Sequence, residues 1–161
     1  MAAVRARRRV VAVAVPDLNV GAAIGTGSAV VYSSTCRWRE PECATSVQLI
    51  SRQPAPFQYF GSAVALDARG TRLFLGNDGG GTDGQGEGEL VALNRSKKGA
   101  VRIGERRTFT APNVRNGRFG TAVSISAAGS VGIGSAPWLS VDGQVRQGAA
   151  YIVEFTKESE K

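Results

Sequence analysis

The chain contains no histidine. That excludes Ser-His-Asp and Cys-His nucleophilic catalysis, histidine general bases and histidine metal ligands. Carboxylate, arginine and lysine chemistry is what is left for an enzyme. Cysteine is nearly absent too: Cys36 and Cys43 are the only two, and they bracket Arg-Trp-Arg-Glu-Pro-Glu. With no second pair and no histidine, a zinc site is not expected. Two readings stay open for the pair. One is a disulfide across a small loop, which implies an oxidising compartment; the other is two free thiols. The spacing favours the disulfide.

Long apolar runs are also missing. No stretch approaches the length of a membrane-spanning helix, and no segment sustains the 3.6-residue apolar spacing of an amphipathic helix. The opening MAAVRARRRVVAVAVPD imitates a secretory signal, with basic residues ahead of apolar ones. Its uninterrupted apolar run, residues 10–15, is only six long and ends at Pro16-Asp17. A signal core takes about 7–15 apolar residues, so the run reads as a strand.

What the chain has in quantity is glycine, 21 residues of 161, beside abundant Val, Ala, Ser and Thr. This is the composition of short strands joined by tight turns. An apolar content of 42% with 20% charged residues is that of one globular domain. The net charge is +7, part of it in Arg5, Arg7, Arg8 and Arg9. Residues 1–9 read as a solvated basic arm. No RNA-binding aromatic motif or zinc-finger spacing accompanies it, so nucleic acid is not the expected partner.

The chain repeats itself. Phe60-Gly61 falls on Phe119-Gly120, 59 residues on, and GSAVVYS, GELVALN and GAAYIVEF follow one another at about 60. Each full copy reads as Phe-Gly, an alternating strand, a short turn, a second strand, a long Gly-rich loop and a third strand. The turns are Asp67-Ala68-Arg69-Gly70 and Ala127-Ala128-Gly129. In the middle copy a fourth strand is expected over 101–109. The first copy lacks its Phe-Gly strand, and the last stops after its third. The expected fold is therefore all-β. About three four-stranded antiparallel meanders, over 10–55, 56–113 and 114–155, pack face to face as blades of a β-propeller, the first and last incomplete, with a charged tail over 156–161. A β-sandwich with chance self-similarity is the competing architecture.

In this order and period the motifs resemble the FG-GAP repeat, which builds the propeller of integrin α subunits and many surface proteins. Phe119-Gly120 supplies the FG, and Gly134-Ser135-Ala136-Pro137 stands where GAP is expected, with one residue inserted. The middle copy keeps Phe60-Gly61 and has Gly76-Asn77-Asp78 in place of GAP. The resemblance implies that Phe60 and Phe119 wedge between blades, that Gly61 and Gly120 permit close backbone approach, and that Gly76 or Gly134 ends the second strand. These are structural roles, not a reactive centre. Members of the integrin type often hold calcium in the first hairpin, through several closely spaced aspartates. The turns here offer one carboxylate beside an arginine, and none, so no calcium and no other cofactor is expected. The remaining acidic segment, Asn77 to Glu89, carries Asp78, Asp83, Glu87 and Glu89 among six glycines. Ordering so many glycines around a metal is entropically costly, and a plain surface loop is the expected form.

About two and two-thirds blades are present, where closure takes about four to eight. The expectation is a fragment of a larger protein, or self-association that completes the ring. The resemblance implies a non-enzymatic module that binds a protein or glycan at the cell surface or outside the cell. Recognition would fall to the loops after the second strands, where Trp138 and Leu139 read as an exposed apolar pair. The alternative is a propeller hydrolase or lyase that uses carboxylates and arginines.

Overall fold

The computed structural model describes residues 3–7, 9–34, 43–79, 86–96, 99–111 and 116–155, with side chains from residue 9 onward. Among these residues eleven strands form three antiparallel meanders. The first sheet is β1 (Ala3–Arg7), β2 (Val10–Val15), β3 (Ser28–Ser34) and β4 (Ala44–Leu49), in that order. The second is β5 (Phe60–Leu66), β6 (Arg72–Asn77), β7 (Glu87–Arg95) and β8 (Val101–Phe109). The third is β9 (Val123–Ile125), β10 (Val131–Ala136) and β11 (Ala149–Glu154). Among the described residues there is no α-helix, and so none long and apolar enough to cross a membrane. The all-β expectation holds, and the strands expected over 10–15, 73–75, 90–93, 101–109 and 150–153 are all present.

Two strands depart from expectation. The expected basic arm is in part a strand: Ala3–Arg7 pairs with β2 from Ala3↔Ala14 to Arg7↔Val10. The first sheet thus has an opening strand, without Phe-Gly. The physical reason lies in the ladder. β2 is a core strand whose second edge needs hydrogen-bond partners, and any chain without proline satisfies it whatever its side chains are. The first sheet also has a fourth strand, β4, in register with β3 from Ala29↔Leu49 to Ser34↔Ala44. Cys43 immediately precedes it and carries a disulfide bond, while Cys36 lies outside the described residues. The 80–85 part of the acidic loop, with Asp83, and the tail over 156–161 are outside them as well.

The sheets lie in series, and alternate residues of each strand face the neighbouring sheet, as the two-residue period of a strand requires. Val10, Ala12, Ala14, Ala29, Val31 and Leu49 of the first sheet pack on Leu73, Leu75, Val91 and Leu93 of the second. Phe74 and Leu90, on the opposite face of the second sheet, pack with Phe155, Val123 and Ile125 of the third. Phe74 and Phe155 meet edge to face at 5.3 Å between centroids.

The junctions are built by the Phe-Gly pairs. Phe60 pairs with Asn77 but Ala63 pairs with Gly76, so Gly61 and Ser62 bulge out of β5. Gly61 has φ 86° and Gly120 φ 93°, which only glycine adopts freely. Beside the bulge Phe60, still paired with Asn77, also forms a parallel bridge to Gly27 of the first sheet; Phe119 bridges Gly86 of the second in the same way. The Phe119 ring then fills the space between two glycines. A Cβ on Gly88 of the second sheet would lie 3.3 Å from it, and one on Gly134 of the third only 2.4 Å. Both phenylalanines are buried. Ser62 ties one bulge to the next: its hydroxyl donates to Gly120 O at 3.2 Å and accepts from Asp78 N–H at 3.1 Å.

The registers revise the motif alignment. Gly76 faces Ala63, and the N–H of Ser135 bonds Ala122 O. Ser135, not Gly134, is therefore the equivalent of Gly76 at the 59-residue shift that aligns the Phe-Gly pairs. Gly134 takes the place of Leu75. It is glycine because the Phe119 ring occupies the space its side chain would need, whereas Gly76 is glycine because the Gly120 backbone crosses it.

The hairpin turns are stapled by side chains. Buried Asp67 accepts from Thr71 N–H at 2.7 Å, the Thr71 hydroxyl at 2.8 Å and Arg72 N–H at 3.1 Å. Ser126, 59 residues on, accepts from Ser130 and Val131 N–H at 3.2 and 3.1 Å. Such Asx and Ser turns substitute a side-chain oxygen for a missing backbone partner.

A Cβ on Gly76 would sit 1.9 Å from Gly120 O, while one on Gly143 would meet nothing within 4 Å. In chemical denaturation, Gly76→Ala is expected to cost about 3 kcal/mol, by forcing two sheets apart. Gly143→Ala, which suffers only its positive φ, is expected to cost about 1 kcal/mol.

Candidate functional site

The loops joining second to third strands emerge together at one end of the sheets. Two of them, 16–27 and 137–148, share one backbone at a spacing of 121 residues. Leu18 N–H bonds Val15 O, and Leu139 N–H bonds Ala136 O. Val20 and Ala23 exchange two backbone bonds, as do Val141 and Gln144. Gly27 N–H closes the first loop on Leu18 O at 2.8 Å, and Gly148 N–H closes the second on Leu139 O at 2.9 Å. In each, a polar side chain braces the tip: Asn19 Oδ1 accepts from Gly25 N–H at 2.9 Å, and Ser140 Oγ from Arg146 N–H at 3.3 Å. Inside each loop is a two-residue hairpin turn. Asp142-Gly143 has positive φ at both residues (50° and 77°), a type I′ pattern, while Gly21-Ala22 is positive only at glycine, as in type II′.

On this shared frame the exposed side chains differ. The first loop exposes Leu18 and Ile24, at 39% and 58%, and the second exposes Val145 at 78%. Only the 137–148 loop adds an aromatic. Trp138, 43% exposed, has the Arg118 guanidinium 4.4 Å and the Arg146 guanidinium 4.6 Å from its ring centroid. Both distances are within cation–π range. Trp138 N–H bonds Gly117 O at 3.2 Å, which fixes the loop beside the segment that leads into Phe119. Asn116, Arg118, Trp138, Ser140, Val145 and Arg146 line an open cleft of about 450 Å³. Among the described residues the lining holds two cations, an aromatic face, an amide and a hydroxyl, and no carboxylate.

Of the expected binding pair, Trp138 is exposed but Leu139 is not. Leu139 is buried in a cluster with Phe119 and Ala136. Leu139 closes the turn on Ala136 O and packs on Phe119, whereas Leu18, its counterpart in the first loop, stays 39% exposed. Pro137 opens the loop directly after β10, as Pro16 does after β2. Arg118 and Arg146 went unnoticed because each is far from Trp138 in sequence or lies in a loop with no periodicity. One signal was available: Asp142-Gly143 is a strong two-residue hairpin pattern, and reading it would have aligned 137–148 on 16–27.

No protein-family model matches the chain, and no curated protein matches it. The FG-GAP resemblance therefore rests on the residues that carry it.

Backbone strain concentrates around the same end. Phe57 and Tyr59 have φ of 57° and 53°; Asn116 and Arg118, 59 residues on, have 56° and 53°. Non-glycine residues rarely hold such φ, and here each pair sets up the turn into Phe-Gly. Ser62 N–H bonds Tyr59 O at 2.9 Å, and Thr121 N–H bonds Arg118 O at 3.3 Å. Arg118 also lines a second cleft, of about 340 Å³, with Pro16, Asp17, Tyr59, Ser62, Asp78 and Thr121. Its guanidinium lies 3.9 Å from the Asp78 carboxylate. Burial raises the Asp78 carboxyl above its usual range, the charge of Asp17 adds to this, and Arg118 opposes it.

Two other carboxylates of the acidic segment lie on β7. Glu89 is buried against Arg106, whose Nη2 donates to Glu89 Oε2 at 3.0 Å and to Ile50 O at 2.8 Å, which ties the second sheet to the first. Glu87 is raised above its usual 4.5 by burial first and by the Glu89 charge, against a hydrogen bond from Asn77. Asn77 Oδ1 is buried without a partner, and Asn77 and Glu87 are register partners. A raised carboxyl makes the ionised form a cost to the folded state, present at neutral pH and removed as pH falls through the folded and then the unfolded value. Glu87→Gln keeps the shape, removes the charge and offers an N–H to Asn77 Oδ1. It is expected to raise Tm at pH 7, with the gain shrinking towards pH 4, in thermal melts across that range.

Proposed function

We propose that the chain is a run of FG-GAP-like β-propeller blades, a non-enzymatic module that binds a protein or glycan at the cell surface or outside the cell. The observation that supports this most is the pair of loops with one backbone and different exposed residues. A rigid frame that varies only what it displays is how recognition loops are built. In the 137–148 loop the display is Trp138 between two arginines, and tryptophan and arginine are the residues that most often anchor binding. The 450 Å³ cleft beside them is in the range of ligand sites. The Phe-Gly bulges and their glycine partners support the propeller reading, because they pack one meander on the next in the same way at both junctions.

The carboxylate–arginine enzyme is favoured by one observation only. Asp78, with its raised carboxyl, shares the smaller cleft with Asp17 and Arg118. Hydrolysis of a model glycoside or ester that Asp78→Asn abolishes would support it over the binding module.

The main reading is tested by screening the chain against an array of oligosaccharides and extracellular-matrix proteins, and repeating each hit with Trp138→Ala. Hits are expected to weaken at least tenfold, roughly 1.4 kcal/mol or more, with Tm unchanged. Hits that survive the substitution would place recognition elsewhere, and an array without hits would count against the module.

A further inference from the structure

Each sheet has two kinds of face, and both internal junctions join the same two kinds. The forward face of the second sheet carries Phe74, Gly76 and Leu90, and the third sheet covers it. Its backward face carries Leu73, Leu75 and Val91, and the first sheet covers it. Carrying these registers to the ends of the series identifies two open faces. The forward face of the third sheet consists of Val131, Ile133 and Ser135 on β10 with Ala150, Ile152 and Glu154 on β11. Ile133 and Ile152 are cross-strand partners and are 45% and 72% exposed. The backward face of the first sheet consists of Val11, Val13 and Val15 on β2 with Val30 and Tyr32 on β3. Val15 and Tyr32 are exposed there.

The equivalents of these residues are buried inside the chain. Phe74 and Leu90 hold the places of Ile133 and Ile152, and both are covered; Leu73, Leu75 and Val91, at the places of Val11, Val13 and Tyr32, are covered completely. The docking glycine is also kept. Gly27 and Gly86, with φ 82° and 73°, each receive the backbone of the next Phe. Gly148 has φ 76°, stands at the same point of its loop, and the atoms nearest a Cβ there belong to Pro137 of its own loop, at 3.1–3.4 Å.

We propose that the open forward face of one copy docks on the open backward face of a second copy, repeating the internal junction between chains. The occupant is a second copy because the complement each end lacks is what the other end of the same chain presents. Such a contact is heterologous: it closes into a ring when the rotation permits and otherwise runs on as a filament. Two copies bring six sheets, within the four to eight that close a propeller. The count of six rests on the propeller reading, while the docking rests on the faces alone.

The test uses the full chain and two variants, Tyr32→Glu on the backward face and Ile152→Glu on the forward face. Light scattering after size exclusion at tens of micromolar reads the mass. The unaltered chain is expected at twice 16.8 kDa and each variant alone at 16.8 kDa. Mixed in equal amounts, the variants are expected to recover a two-chain species, because each still has the face the other lacks; that recovery also shows both to be folded. An unaltered chain that stays monomeric, a variant that dimerises alone, or a mixture that stays monomeric would each overturn the docking. An unaltered mass above two chains would overturn the six-sheet ring. Loss of ligand binding in a chain that still dimerises would count against the loop reading and not this one.

Discussion

The structure depends on backbone passing backbone at glycine. At each junction the chain, beside Gly61 or Gly120, runs against the neighbouring sheet and meets a glycine there, Gly27 or Gly86. A side chain at these glycines would stand 2.0–2.9 Å from main-chain atoms, distances that no rotamer relieves. The apolar faces supply the energy of sheet packing, at about 25 cal/mol per Å² buried. The glycines set the distance at which that packing can happen, and the phenylalanine ring fills what space is left. Phe119 shows both halves of this: its backbone bridges Gly86 while its ring meets Gly134 and packs edge to face on Tyr151 at 5.8 Å.

This arrangement explains why the fold was legible where it was. Val10–Val15 and Leu73 to Leu75 announce themselves as short apolar runs bounded by turn residues, and the Phe-Gly pairs announce the period. Ala3–Arg7 did not, because one valine and two alanines beside two arginines carry too little apolar weight to mark a strand; its place is set by the edge of β2. Phe57, Tyr59, Asn116 and Arg118 were equally silent. Their left-handed φ is imposed by the turn into the bulge, and four different residue types tolerate it, so composition leaves no mark. Gly134 misled because two unrelated demands, a ring beside one glycine and a backbone across another, produce the same letter one residue apart.

The proposed binding face follows from the same economy of design. The junctions permit little variation, and the hairpins are held at a constant 59-residue spacing by Asp67 and Ser126. Variation is left to the loops after the second strands, where Asn19 and Ser140 do equivalent bracing with different chemistry. Trp138 was legible as a candidate; the two arginines that flank it were not, since one arrives from the strained turn before Phe119 and the other from the far side of the loop. Leu139 belongs to the core that the loop closes over.

The hairpin staples are unequal. Asp67 accepts three hydrogen bonds from Thr71 and Arg72, and the tip it holds reaches across to the third sheet, where Ala68 N–H bonds Ala127 O at 3.1 Å and Arg72 Nη1 donates to Gly129 O at 2.6 Å. Ser126 accepts two bonds with a neutral hydroxyl, on a sheet whose first strand is three residues long. By this comparison the third sheet is expected to open before the second, with its amides exchanging sooner. Trp138 sits on that sheet. A ligand that closed on the tryptophan would therefore also hold the last sheet together, linking occupancy of the cleft to the integrity of that sheet.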